Sequence, residues 1–456
     1  MRLPAFSGGQ WKVLAMLMSV NFVNYVDRQI IFSLFPALRK EFGLSFAQLG
    51  SLATAFTIVL ALGSLPLGIL ADRFSRRVVI SAGVLFWSVA TFLSGLASSF
   101  RSLLTARALV GVGEAAYTPA GTAIITATFP REARARVQGA FDVGMFIGGA
   151  TGIALGGIVA EWVGWRAAFF LVGAPGLVLG LSALRLPHTH GDSSEAQIPV
   201  RELLRVPAYL MVLASGWFSS FAGYAYLSWG PDLVQEYKGF SPREAGVALG
   251  LILVLAGIAG IMTGAWLSDR LAQTRTWGRA GIVPVGFVLA AVPIFYAIHA
   301  QSKSAFLISF AVGTFFLSWY HGPVTATIHD LVPPNGRSTA MGLYYLFVNL
   351  FAMALAPLLV GKLADQHSLV SAMHVPLVAQ LIGAALFLSV IRCIRQHGLH
   401  HPALELYWQK HVVPSIPSPQ NECDIGGDTL DSKLGQPAEQ DLWADGDVGL
   451  ESRQTR

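Results

Sequence analysis

Twelve apolar stretches dominate the chain, at 12–37, 47–71, 78–97, 103–128, 137–160, 167–186, 208–234, 245–268, 280–299, 304–328, 338–362 and 374–394. Each is close to the ~20 residues that a helix needs to cross the ~30 Å hydrocarbon core of a bilayer. The predicted fold class is therefore an all-α membrane protein with twelve transmembrane helices. Composition agrees, because 54% of the 456 residues are hydrophobic and 12% charged, against about a quarter charged in soluble domains. The first stretch begins close to Met1 with no small-residue cleavage pattern after it, which predicts a retained span. Two cysteines, Cys393 and Cys423, exclude a disulfide framework and a Cys-rich zinc site.

Charge sets the expected topology. Arginines gather in the even-numbered loops, with Arg73, Arg76 and Arg77 in loop 2–3, Arg131, Arg134 and Arg136 in loop 4–5, Arg185, Arg201 and Arg205 in loop 6–7, and Arg270, Arg275 and Arg279 in loop 8–9. Positive loops stay cytoplasmic, so both termini are predicted there, in a multi-pass protein of a bacterial inner membrane. The first 396 residues carry a net +11 and the remainder −6. Basic residues spread between apolar runs give an orientation signal, not a nucleic-acid footprint, so no nucleic-acid partner is expected. The acidic stretch 397–456 lacks apolar periodicity and is predicted to be a disordered cytoplasmic tail. Its His397, His400, His401 and His411 have no paired Cys or carboxylate, and no metal site is predicted.

The chain repeats itself at half its length. Span 2 ends in Gly68 followed by Asp72, Arg73, Arg76 and Arg77, and span 8 ends in Gly264 followed by Asp269 and Arg270. This predicts two six-helix bundles, 1–186 and 207–396, joined by a cytoplasmic loop at 187–206 and followed by the tail. The repeated run resembles the loop 2–3 signature of the major facilitator superfamily, which implies two pseudo-symmetric bundles that rock about a central site. Gly68, Asp72, Arg73, Arg76, Arg77, Asp269 and Arg270 are then candidate gating residues, able to lock the inner helix ends in one state; setting topology alone is the other reading. In span 5, Gly144, Gly148, Gly152 and Gly156 recur every four residues, flanked by Gly149 and Gly157. Glycine costs a helix about 1 kcal/mol relative to Ala, so the stripe predicts a close crossing, placed here between the lobes. It resembles the superfamily's span 5 signature, without the usual proline.

Charges inside the spans are few. Asp27, Glu114 and Asp142 are the acids read as intramembrane, and Arg28 and Arg107 the bases. Each costs about 3 kcal/mol or more at mid-bilayer, so each marks function or tight pairing. Arg107, Gly111, Glu114 and Thr118 share a helical face in span 4, and Asn21, Asn24, Tyr25 and Arg28 share one in span 1. A polar patch facing the lumen between these spans keeps all of them out of lipid. Asp142 lies two turns inside its span and is expected to pair with an arginine of loop 4–5 as part of an inner gate.

The runs Asn24-Tyr25-Val26-Asp27-Arg28 and Arg107 to Tyr117, with Gly164-Trp165-Arg166 before span 6, resemble the spinster-like branch of the superfamily. Animal members of that branch export lysophospholipids or sphingosine phosphate. Symporters of sugar acids share the Asn-Tyr-x-Asp-Arg run and a Gly-Glu-Ala. Around Asn349 the chain departs, lacking the His and Gly-Asp of animal spinster proteins. The resemblance implies that Glu114 is the proton-coupling carboxylate, with Arg107 as its partner and Asp27 and Arg28 as a second polar pair. A permanently bridged Arg107 and Glu114 that merely hold the span together is the other reading. Asn24, Tyr25, Arg28, Tyr117 and Thr118, with His321, Tyr224, Tyr345 and Asn349 of the second half, are the candidate substrate contacts, and Trp229 is expected as an interfacial anchor.

The predicted function is secondary active transport, moving an amphipathic, anionic, lysolipid-like solute by proton-coupled alternating access. The alternatives are a proton symporter of small organic or sugar acids, and a membrane scaffold or receptor that moves nothing. The expected partners are the solute, protons and membrane lipids. No nucleophile and base pair, metal cluster or phosphate loop occurs in the sequence, so neither an enzyme nor a cofactor is predicted.

Overall fold

A computed structural model describes residues 6–188, 198–333 and 336–398. Every expected span is a helix in it. They are α1 (Gly8–Phe42), α2 (Phe46–Arg73), α3 (Arg76–Gly95), α4 (Phe100–Ala115, then Tyr117–Thr128), α5 (Arg131–Trp162), α6 (Trp165–Ala183) and α7 (Pro207–Tyr237). Next come α8 (Pro242–Ile252, a π turn, then Ile258–Ala272), α9 (Gly278–His299) and α10 (Lys303–Leu317, a 3-10 turn, then His321–Leu331). The last are α11 (Arg337–Phe347, a π turn, then Leu355–Gln366) and α12 (His374–His397). The connection expected as a plain loop at 187–206 contains a short helix, Val200–Leu203. The tail beyond Gly398, with His400, His401 and His411, lies outside the described residues.

Ten of the helices are long and apolar enough to cross a membrane. The remaining two, α1 and α4, carry Asn21, Asn24, Asp27, Arg28, Arg107 and Glu114. Their polar content lowers their hydropathy, and the same residues have to be buried against protein instead of lipid. Helix starts follow the sequence: Ser7, Ser45, Ser99 and Ser241 each close a capping box with the residue three places on.

Helices α1–α6 pack as one bundle and α7–α12 as another, and the bundles meet where α1 faces α7, α2 faces α11 and α5 faces α8. The glycine stripe does not lie between the lobes as expected; it seats α5 on α1 of the same lobe. A Cβ on Gly148 would stand 2.5 Å from the Phe22 carbonyl oxygen, and one on Gly152 2.5 Å from that of Val26. The flanking Gly157 faces the other lobe, where an added Cβ would collide with the Pro242 carbonyl of α8, and on the opposite side Gly50 of α2 meets Pro357 of α11 in the same way. The half-repeat counterpart of Gly157 is Gly361 of α11, where an added Cβ would stand 2.5 Å from the Phe46 carbonyl oxygen at the start of α2, so the repeats place small residues at equivalent crossings.

Candidate functional site between the two bundles

The polar faces of α1 and α4 come together as two ion pairs. Arg28 Nε donates to Glu114 Oε2 at 2.6 Å, and Arg107 Nη1 to Asp27 Oδ1 at 3.1 Å. The pairing is crossed between helices, which corrects the expected match of Arg107 with Glu114 and of Asp27 with Arg28. On a single helix the seven-residue separation leaves Arg107 and Glu114 about 10 Å apart, whereas the α1–α4 contact brings each arginine opposite the other helix's acid.

The two pairs differ in surroundings. Arg107 and Asp27 are both 1% exposed; Thr91 donates to Asp27 Oδ2 at 2.5 Å, and Arg107 Nη2 also reaches the Asp27 carbonyl at 3.5 Å. Phe56 and Phe169 lie against the Arg107 guanidinium. Arg28 keeps 15% of its side chain accessible while Glu114 is fully buried. Glu114 Oε1 has no partner among the described residues, nor has either amide atom of the buried Asn24. The Arg28 guanidinium sits 4.8 Å from the Tyr25 ring centroid and 5.6 Å from that of Phe56. One pair is thus sealed and satisfied, and the other is accessible and half-satisfied.

Several candidates from the second half join the accessible pair. Tyr224 of α7 is buried edge-on against Phe32, within electrostatic reach of Arg28, Glu114 and Arg107. Tyr345 of α11 is exposed and lies within reach of Asp142 and Tyr25 of the first lobe. The His321 ring meets Phe146 of α5 across the lobes, with centroids 6.1 Å apart. Asn349 is held by its own helix, donating to the Tyr345 carbonyl at 2.7 Å. Asp142 takes Gln138, four residues away on α5, as a hydrogen-bond donor at 3.1 Å; of the loop 4–5 arginines expected to pair with it, Arg134 donates to the Phe129 carbonyl, and the side chains of Arg131 and Arg136 are outside the described set.

Tyr117 is not brought to the space between the lobes. It is fully buried between Trp87 and Phe141, and its hydroxyl donates to the Leu17 carbonyl at 2.6 Å, so it ties α4 to α1. Helix α4 breaks at Ala116, and Thr118 beyond the break is exposed. Trp229, expected as an interfacial anchor, is buried between Phe35 and Phe46 with its indole N–H on the Pro357 carbonyl.

The hydrogen bonds and ion pairs that join the lobes lie at the end carrying the odd-numbered loops. Arg39 of α1 meets Glu236 of α7 at 2.7 Å. Asp365 at the end of α11 caps the start of α2, accepting from the amides of Phe46 at 2.7 Å and Ala47 at 2.9 Å. Glu161 at the end of α5 caps the start of α8, accepting from the Arg243 amide at 2.9 Å. These are a carboxylate on a helix N-terminus in each half-repeat, where the helix dipole favours negative charge. Deeper in, Thr54 donates to the Ala354 carbonyl at 2.5 Å.

At the even-loop end, Gly68 and Arg279 make their contacts within their own lobes. Gly68 packs on Pro119, Arg73 is exposed, Arg77 is half-buried and Arg76 is buried; the Asp72 side chain is outside the described set. In the second lobe Arg279, not Arg270, takes the bridging part. It reaches Asp330 of α10 at 2.5 Å and Asp269 of α8 at 3.5 Å, while Arg270 lies over the Trp266 ring.

One intramembrane acid escaped the sequence reading. Asp232 falls inside the expected seventh span, near its end, and is fully buried in α7 with neither carboxylate oxygen partnered among the described residues. The signal was an acid within four residues of a Gly-Pro step in an otherwise apolar run.

The sequence profile of the Major Facilitator Superfamily matches residues 17–283 and 274–405. An MFS-type efflux pump of Mycolicibacterium smegmatis is 30% identical over 392 residues, covering 83% of this chain and 89% of the pump. Protein spinster of Drosophila melanogaster is 26% identical over 385 residues, covering 80% of this chain and 63% of that protein. Among solved structures, a bacterial homolog of the human lysosomal transporter spinster, in an inward-facing and occupied conformation, superposes with a TM-score of 0.77 at 24% identity, covering 86% of this chain and 99% of the other.

Proposed function

The chain belongs to the Major Facilitator Superfamily, a family of transporters, and from that premise we propose that it moves an amphipathic organic anion in exchange with or alongside protons by alternating access. The observation that carries this reading is the Arg28–Glu114 pair, accessible on the arginine side and incomplete on the acid side. A carboxylate or phosphate reaching Arg28 competes with Glu114 for the guanidinium. Glu114 then sits fully buried without its counter-charge, and an uncompensated buried carboxylate takes a proton. Anion binding and proton binding are coupled through one arginine. Arg107 and Asp27, sealed and satisfied, hold the two helices together and keep Arg28 in place, so coupling rests on Arg28 with Glu114.

Tyr25 against Arg28, Tyr224 within reach of both members of the pair and Tyr345 within reach of Tyr25 give aromatic surface suited to the apolar part of the solute. With the odd-loop end clasped, and the arginine-rich even loops assigned to the cytoplasm together with both termini, this is a state open to the cytoplasm. The gating assignments follow: Arg39, Glu236, Glu161 and Asp365 close the outer end, and Gly68, Asp72, Arg73, Arg76, Arg77, Asp269 and Arg279 are poised to close the inner one.

The test is uptake into proteoliposomes under an imposed pH gradient, comparing a lysophospholipid with a hexuronate. Glu114→Gln should remove the dependence on the gradient while exchange at equal pH persists, and Arg28→Gln should abolish binding of both solutes. Gradient-driven uptake by Glu114→Gln at the wild-type rate would refute the coupling. A preference for hexuronate over lysolipid selects the sugar-acid alternative, in which the same arginine holds a compact anion.

A further inference from the structure

Asp232 stands one helical turn before Glu236 on α7, and both lie within electrostatic reach of Arg39 on α1. Arg39 is committed to Glu236, with Nη1 at 2.7 Å from both carboxylate oxygens and the guanidinium stacked 3.8 Å from the Phe46 ring centroid. Asp232 lies beneath that seal with no exposed surface and no donor to either oxygen among the described residues. Among the described residues no cation of the other helices packed on α7 reaches it: Lys362 of α11 is exposed and Arg243 of α8 lies over the Trp162 ring. Glu244 of α8 takes Lys303, Asp365 of α11 caps α2, and His374 of α12 turns to His299 and Phe295. His321, His329 and Asp330 of α10 and Arg337 of α11 belong to the half of the molecule toward the even-loop end, and Lys238 beyond α7 donates to the carbonyls of Ile298 and Ala300. A carboxylate in such a place lacks both the solvation and the counter-charge that its ionised form needs.

We propose that Asp232 is a proton-binding site of the second lobe, protonated while the odd-loop end is sealed and deprotonated when that end opens and Arg39 shifts to it from Glu236. Residues four apart on a helix are neighbours at about 5–6 Å, so the shift needs one turn of sliding between α1 and α7. The proton leaves the Asp232 carboxyl for water entering between the parting helices, the Arg39 charge then pairs with the new carboxylate, and Glu236, already at the surface, is left to solvent. The site is separate from Glu114 and would give each lobe its own titrating acid, one facing the solute and one facing the outer gate. The proposal rests on the alternating-access reading and is independent of which solute is carried.

The test uses the purified full chain without solute. Infrared spectra taken across pH should show a protonated-carboxyl C=O band that Asp232→Asn lacks and Glu114→Gln retains. Spin labels at the exposed Ser98 and Gln301, in a background with Cys393 and Cys423 replaced, report separation of the lobes at the odd-loop end. The open population should grow with pH in the wild type, by up to about tenfold per pH unit for one proton, and should not grow in Asp232→Asn or Asp232→Ser. A carboxyl band unchanged in both variants, lobes that open with pH in both as in the wild type, or a wild type that does not respond to pH overturns the proposal. Because no solute is present, these outcomes leave the Glu114 coupling to stand or fall on its own uptake assay.

Discussion

The crossed pairing makes a quantitative demand on stability. Asp27→Asn leaves the Arg107 guanidinium, 1% exposed, facing a neutral amide oxygen in place of its counter-charge. Breaking a buried pair by removing one partner costs about 3–5 kcal/mol, whereas replacing both partners by packed apolar residues is often near neutral. Asp27→Asn and Arg107→Met should each destabilise by about 3–5 kcal/mol, and the double variant by less than the sum, the difference being a coupling energy of roughly 2–3 kcal/mol at the upper end of the range for contacting residues. The same cycle on Arg107 with Glu114 should give a value near zero, because those side chains are not paired. Arg28 with Glu114 should fall between, since partial access to water lets Arg28 remain solvated when its acid is removed. Equilibrium unfolding in detergent, followed by tryptophan fluorescence, measures all three cycles. An Arg107–Glu114 coupling as large as that of Asp27 with Arg107 would refute the crossed arrangement and restore the pairing along one helix.

Two further outcomes follow from the clasps and the glycine stripe. Replacing Glu161 by Gln and Asp365 by Asn removes two carboxylates from helix N-termini, each worth about 0.3–1 kcal/mol; together they should shift the lobes toward opening at the odd-loop end by roughly three- to thirty-fold, read from the reactivity of a single cysteine placed at Ser98. Gly148→Leu drives a side chain into the Phe22 carbonyl and should cost about 1–3 kcal/mol or prevent insertion of a folded protein, while Gly139→Ala on the same helix, whose Cβ meets nothing within 4 Å, should be neutral in the same melt.

The spans were legible because ten are long apolar runs and the other two are apolar apart from a few polar residues, and the half-repeat because Asp-Arg recurs at equivalent helix ends. The importance of Asp27, Arg28, Arg107 and Glu114 was legible for the same reason in reverse, since isolated charge in apolar sequence stands out whatever its partner. Partnership was not legible. Helical periodicity places residues on a face of their own helix, but which acid an arginine meets depends on the rotation of α1 against α4. That rotation is set by contacts such as Tyr117 on Leu17, between residues 100 apart in the sequence. The glycine stripe shows the same limit: its spacing requires a close neighbour and cannot say which, and α1 proved to be the neighbour.

Asp232 was missed for a different reason. It stands near the end of an apolar run, where an acid is ordinarily at the water interface and needs no explanation, and only the packing of α1, α8 and α11 around α7 shows that water is excluded there. Burial depth in a two-lobed transporter is a property of the state as well as of the sequence. In the proposed cycle the same residue is buried when the lobes clasp and reaches water when they part. An acid whose position in the sequence looks interfacial and whose structure is fully buried is therefore the kind of group able to sense which state the protein is in. Glu114, deep in its span, differs in being buried on its own lobe and exposed to competition only through Arg28. On the reading proposed above, two acids with these two kinds of burial divide the work of coupling, one responding to the solute and the other to the gate.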